Sequence, residues 1–177
     1  MYVLSLDLST KSTGYAIFED GQLKDFGCIT ASSTDIIKRI QKIICELDEV
    51  LKKYSFEKII IEEVLPKDGE SNGKNLHTQK MLMWLQAAVA FLIHENFSKI
   101  EIQYLYPSEW RSACGIKIGR GVVRDSLKSA DIAFVKQKFG FTPANDDIAD
   151  AIGIGYGYLM QPPKQTEKVR GMIKFGK

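Results

Sequence analysis

The sequence predicts an α/β domain, a mixed five-stranded sheet flanked by helices, on three observations. Short apolar, β-branched runs alternate with longer stretches whose apolar residues recur every three or four positions. The first three short runs follow one another directly across tight polar turns, as antiparallel strands do. The later ones are separated by helix-length segments, which parallel neighbours require.

In order, Tyr2-Val3-Leu4-Ser5-Leu6 reads as a buried strand with Asp7 at its end. Ser9 to Ser12 turns the chain, and Thr13 to Phe18 runs back as the second strand. Asp20-Gly21 is a two-residue hairpin signal leading into a third strand, Gln22 to Thr30. From Thr34 to Tyr54, Ile36, Ile40, Ile43, Ile44, Leu47 and Leu51 fall at helical spacing with lysines on the other face. Phe56 to Ile61 is a fourth strand of the fully buried kind, running into Glu62-Glu63. A polar, glycine-bearing loop, Pro66 to Asn75, separates it from a helix over Leu76 to Glu95. The apolar residues of that helix wrap round more than one face, so it lies deep in the domain or sets one side on a partner subunit. Its most apolar run, Met81 to Ile93, contains Gln86 and falls short of the ~18–20 residues that cross a bilayer.

Ile100 to Tyr106 is the fifth strand, stopped by Pro107, and Pro107 to Trp110 opens a short helix ending near Gly115. Lys117 to Gly121 reads as a flexible basic loop, and Val122 to Phe139 as a helix stopped by Gly140. Asn145 or Asp146 caps a last helix through Leu159, before Pro162-Pro163. In that helix Ala149, Gly153 and Gly157 fall four apart, with Gly155 also inside. Each interior glycine costs roughly 1 kcal/mol relative to alanine, and a smooth face pressed on the sheet would offset that cost. One domain over residues 1–161 and a mobile basic tail over 162–177 are expected, with no internal repeat.

The 177 residues, 45% hydrophobic and 26% charged, suit one ordinary globular domain with a real core. A net charge of +2 does not by itself announce a nucleic-acid partner. Its distribution says more. Arg111 to Lys128 and Lys164 to Lys177 each hold five basic residues and one acid, so the remainder of the chain is net acidic. Segregation of that kind is the footprint expected for an anionic polymer, although a plain solvated tail shows it too. Cys28, Cys45 and Cys114 are odd in number and widely spaced, which argues against a disulfide frame or zinc site. With no basic-apolar leader at the start, a cytoplasmic setting is expected.

Four acids stand at element ends. Asp7 closes the first strand, Glu62 the fourth, and Asp147 and Asp150 share a face on the first turns of the last helix. Taken singly, each has an ordinary explanation: Asp7 as a turn residue, Asp147 as a helix-start acid, Glu62 as a surface residue like Glu63. Asp150 fits this least, because Ile148, Ala149, Ala151 and Ile152 around it read as packed. If the first and fourth strands are parallel neighbours, Asp7 and Glu62 emerge at one edge. Four carboxylates there call for a hard divalent cation with oxygen ligands, of which Mg²⁺ keeps room for water and substrate phosphate.

The hairpin DLSTKSTGYAIF, the strand IIIEEV, the segment PSEWR and the run DDIADAIGI together resemble the RuvC Holliday-junction resolvases, of the RNase H-like (retroviral integrase) superfamily. The resemblance runs in order from Tyr2 to about Leu159, and in shortness and drift is more similar to a phage-encoded RuvC-type endonuclease than to a bacterial one. It implies an RNase H-like fold and a catalytic, metal-binding set of Asp7, Glu62, Asp147 and Asp150. It also implies one or two Mg²⁺ per site with Mn²⁺ able to substitute, and a homodimer that nicks opposed strands of a four-way junction. Helix 76–95 fits that dimer. Arg111, Lys117, Arg120, Arg124 and Lys128 are the candidates for DNA phosphates. Three positions depart from the family: Leu8-Ser9 replaces the Pro-Gly after the first Asp, and Leu65 replaces the aromatic three residues after the catalytic Glu.

Two rivals come from other classes. DLSTKSTG also resembles the phosphate hairpin of actin-like ATPases and sugar kinases, which need a second domain and bind ATP. A non-catalytic junction-binding protein would keep the basic stretches but has no use for four intact acids.

Overall fold

The structure, a computed structural model, describes residues 1–64, 73–117 and 124–161, without the side chains of 73–75 and 124. The 66–75 loop for the most part, Leu65, Arg120 and the tail from residue 162 lie outside the described residues. Three strands come first: β1 (Tyr2–Asp7), β2 (Ser12–Glu19) and β3 (Gln22–Thr30). Helix α1 (Ile36–Leu51), strand β4 (Phe56–Glu62), helix α2 (Gly73–Asn96) and strand β5 (Glu101–Leu105) follow. Helices α3 (Pro107–Ala113), α4 (Arg124–Phe139) and α5 (Asp146–Met160) complete the domain.

The strands form one mixed sheet in the order β3-β2-β1-β4-β5. β1 pairs antiparallel with β2, and β2 with β3, while β1–β4 and β4–β5 are parallel. Asp20 and Gly21 both take positive φ, the geometry a two-residue hairpin loop requires between β2 and β3. Alternation along β1 divides its side chains between two cores. Leu4 and Leu6 join Ile17, Ile59 and Ile61 beneath α1 and α2, whose Ile43, Leu47, Leu85 and Val89 complete that layer. Val3 joins Ala16, Phe18 and Ile60 on the opposite face, under α3, α4 and α5.

α5 lies hard against this second face. Ser5 donates its hydroxyl to the carbonyl of Ala151 at 2.7 Å, so a strand side chain bonds directly to the helix backbone. A Cβ on Gly155 would sit 2.3 Å from Phe18 and 2.6 Å from the Ser5 hydroxyl. Gly153 and Gly157 of the Ala149–Gly153–Gly157 stripe, expected to face the sheet, instead receive α3. A Cβ on Gly153 would lie 2.5 Å from the Trp110 ring, and one on Gly157 would lie 2.8 Å from Trp110 Cβ and carbonyl oxygen. The stripe makes room for one indole, and Gly155 alone serves the sheet.

α2 behaves differently. Met81, Leu85, Val89, Leu92 and Ile93 are buried, while Leu76, Met83, Trp84 and Phe91 stand out from the domain. The helix does not lie wholly within the domain: one face is in the core and another is apolar and exposed. No helix among the described residues is long and apolar enough to cross a membrane.

Candidate active site at the sheet edge

Parallel pairing of β1 with β4 sets the first two acids level. Leu6 is opposite Ile61, so Asp7 and Glu62, the next residues along, reach the same edge of the sheet. Asp7 also pairs with Gly14 of β2. That glycine decides where the remaining two acids go. A Cβ at Gly14 would fall 1.9 Å from the carbonyl oxygen of Asp147, so only a bare backbone lets the start of α5 settle on β2. Asn145 caps α5, its side-chain oxygen accepting from the Ile148 N–H at 2.9 Å. Asp146 pairs with Lys128 of α4, which leaves Asp147 and Asp150 as the helix acids on the sheet side.

Mutual repulsion is visible in the proton affinities. Burial raises the Asp7 carboxyl well above the usual carboxylate range, and the charges of Glu62 and Asp147 push it further, against the pull of Arg111. Asp150 is pushed up to about 9, first by burial and then by Asp7 and Asp131, again opposed by Arg111. Glu62, Asp147 and Asp150 are therefore all within electrostatic reach of Asp7.

Three of the four have a side-chain partner of their own. The Trp110 indole N–H donates to Glu62 Oε2 at 2.7 Å, and the Ser12 hydroxyl donates to Asp147 Oδ2. Arg111 lies 3.5 Å from Asp150 Oδ2. With the carboxylates drawn to separate partners, no three His, Cys, Asp or Glu side chains among the described residues converge closely enough to ligate an ion as they stand. The donor set still suits a hard cation: all oxygen, carboxylate-rich and under repulsion. Asp150 Oδ1 is moreover buried with no hydrogen-bond partner, a costly state that a cation or its water would relieve.

The basic residues divide. Arg111, expected at DNA phosphate, is buried instead: its guanidinium makes a two-pronged contact with buried Asp131, at 2.9–3.2 Å, and lies over the Trp110 ring at 4.1 Å. A cation ringed by Asp131 and Asp150 has its charge neutralised inside the protein and is not presented to a phosphate. Lys117 is exposed, and Lys128 is engaged with Asp146. Arg120 and the side chain of Arg124 lie outside the described residues.

Ser12, Trp110 and Asp131 escaped the sequence reading as site residues. Asp131 carried a usable signal, being an acid one helical turn before buried Val135 on the inner face of α4. Ser12 and Trp110 carried none, since hydroxyls are common in turns and a tryptophan in an apolar segment reads as core.

The sequence matches the family model described as crossover junction endodeoxyribonuclease RuvC over residues 3–156. No curated protein matches it. Among solved structures, it resembles Thermus thermophilus RuvC in complex with a Holliday junction substrate, with a TM-score of 0.70 and 16% identity over 90% of this chain and 93% of that one. Thermus thermophilus RuvC by itself gives a TM-score of 0.65 and 17% identity over 90% and 94% of the two chains. The yeast mitochondrial Holliday junction resolvase Ydc2 gives 0.55 and 15%, over 89% of this chain and 77% of that one. At such identities the likeness to these structures is one of fold, which for RuvC is RNase H-like.

Proposed function

The chain belongs to the RuvC family of crossover junction endodeoxyribonucleases, and on that premise we propose that it hydrolyses phosphodiesters in four-way (Holliday) junctions and other branched DNA with Mg²⁺. The observation that carries this reading is the meeting of Asp7, Glu62, Asp147 and Asp150 at one sheet edge, where burial and then neighbouring charge raise the proton affinities of Asp7 and Asp150, and one oxygen of Asp150 is buried without a hydrogen-bond partner. These four would hold one or two Mg²⁺, with Mn²⁺ able to substitute. When bound, such cations supply the charge that activates water for in-line attack and stabilises the leaving 3′-oxygen.

The chain's other residues hold the ligands in place. Trp110 orients Glu62, Ser12 orients Asp147, and Arg111, itself fixed by Asp131, offsets part of the negative charge beside Asp150. Lys117, Arg120, Arg124 and Lys128 remain the candidates for phosphate contacts that position DNA without reading its bases. The uncovered apolar face of α2 supports a homodimer, as two opposed cuts require. A cytoplasmic setting, in a bacterium or a phage-infected cell, suits such an enzyme.

The test is cleavage of an end-labelled four-way junction with Mg²⁺ or EDTA, alongside replication-fork and flap substrates. Wild type nicks the junction only with the cation, and Asp7→Asn lowers the rate at least ~10³-fold while binding persists. Undiminished nicking by Asp7→Asn overturns the site. Absence of nicking on every branched substrate overturns the function.

A further inference from the structure

Lys11 has no part in the reading above. It sits in the turn between β1 and β2, directly before Ser12, and its carbonyl accepts from the Ala31 N–H at 2.8 Å. That bond ties the turn to the loop leading from β3 into α1. Between turn and loop opens a cleft of about 450 Å³, lined by Lys11, Ala31, Ser32, Ser33, Thr34 and Arg39. The cleft offers an ammonium, a guanidinium and three hydroxyls, and among the described residues no carboxylate lines it.

The nearest acid in sequence is occupied elsewhere. Asp35 stands four residues before Arg39, a spacing that allows an ion pair on a helix. It instead caps α1, accepting from the Ile37 N–H at 2.8 Å. Arg39 Nε is buried and has no hydrogen-bond partner among the described residues. A desolvated guanidinium N–H without an acceptor is costly, and a tetrahedral anion with several oxygens matches its fork.

We propose that this cleft holds a backbone phosphodiester of the DNA strand being cut. The inference rests on the nuclease function proposed above and adds a contact at the β1–β2 turn, one residue along the chain from a donor to the acids. Its placement favours DNA over a free anion. Lys11 lines the cleft while Ser12, the next residue, donates to Asp147. A strand whose scissile phosphate lies at the acids thus has a neighbouring phosphate within reach of Lys11 and Arg39. These cations would also counter the repulsion the acidic cluster exerts on the incoming backbone.

The experiment is fluorescence anisotropy of a labelled four-way junction, titrated across salt concentrations in the full-length Asp7→Asn chain with Mg²⁺. Adding Lys11→Gln and Arg39→Gln together weakens binding roughly tenfold at 0.1 M salt and lowers the slope of log Kd against log salt by about 2. Lys11→Gln alone lowers it by about 1. Where Arg39→Gln fails to fold, Lys11→Gln alone and Arg39→Lys carry the test, the latter keeping charge but losing the fork. A folded double variant with unchanged affinity and slope overturns the cleft alone. A parent that binds no junction overturns the function and the cleft together. Millimolar inorganic phosphate that raises the Tm of the parent but not of the double variant, while both bind DNA equally, makes the cleft a free-anion site and overturns its assignment to DNA.

Discussion

α2 and α5 are the two most apolar long helices of the domain, on opposite faces of one sheet, and they use that apolarity in opposite ways. α5 buries Ile148, Ala149, Ala151, Ile152, Gly153, Ile154, Gly155 and Gly157, and its small residues bring its backbone against β2, Phe18 and Trp110. α2 buries one row and leaves Phe91 at 68% exposure and Met83 at 60%. Close approach fixes α5 as a rigid mount for two carboxylates. Large outward side chains on α2 add nothing to the fold of one subunit and suit contact with a second. Changes in α5 and its seat should therefore alter chemistry within a subunit, and changes on the outer face of α2 should alter assembly.

The largest effect is expected at Asp150. Asp150→Asn should lower Mg²⁺-dependent cleavage at least ~10³-fold yet stabilise the metal-free protein. The sign follows from linkage: a carboxyl whose folded-state value lies near 9, above its ordinary 3.8, favours folding fully at low pH. That contribution is lost as pH rises toward 9. In EDTA at pH 8 the variant should melt at least ~2–4 °C above wild type, an advantage that vanishes near pH 4. Thermal melts at the two values check it, and a wild-type melting temperature flat across that window would sink the argument.

Next comes Gly14→Ala, whose new methyl would meet the Asp147 carbonyl and drive the start of α5 off β2. A stability loss of about 1–3 kcal/mol and a fall in cleavage of roughly 10²-fold are expected, read by denaturant titration and single-turnover rates. Trp110→Phe keeps most of the ring in the glycine notch but removes the donor to Glu62. Single-turnover cleavage at saturating Mg²⁺ should fall about tenfold with junction affinity unchanged, so a change in affinity alone would remove Trp110 from the positioning role. Smallest for the single subunit is Phe91→Glu, expected to shift folding stability by less than ~0.5 kcal/mol. Light scattering should nevertheless show a dimer for wild type and a monomer for the variant. Equal masses would leave the outer face of α2 without its assigned partner.

The sheet was legible because each strand carried its pattern locally: alternation in β2, a continuous apolar run in β4, and Asp20-Gly21 at the hairpin. The juxtaposition of Asp7 with Glu62 followed from one topological inference, that β1 and β4 are parallel neighbours. What sequence could not supply was direction. The small-residue stripe of α5 announced a close approach, but small residues accept any partner, and Trp110 took the place assigned to the sheet. Arg111 announced a positive charge beside PSEW. Its burial depends on Asp131, twenty residues away on another helix, a pairing that only tertiary structure creates. Ser12 reads as a turn hydroxyl until α5 brings Asp147 to it.

The bond from Trp110 to Glu62 also makes the site observable in its own light. The chain has two tryptophans, one fully buried at the acids and one, Trp84, on the outer face of α2. Indole emission responds to what its N–H meets, so under the proposed function cation arrival at Glu62 should register through Trp110, and subunit association through Trp84. Replacing either by Phe separates the two signals. Metal loading and assembly then become two titrations on the unlabelled protein, each followed by a reporter the fold already carries.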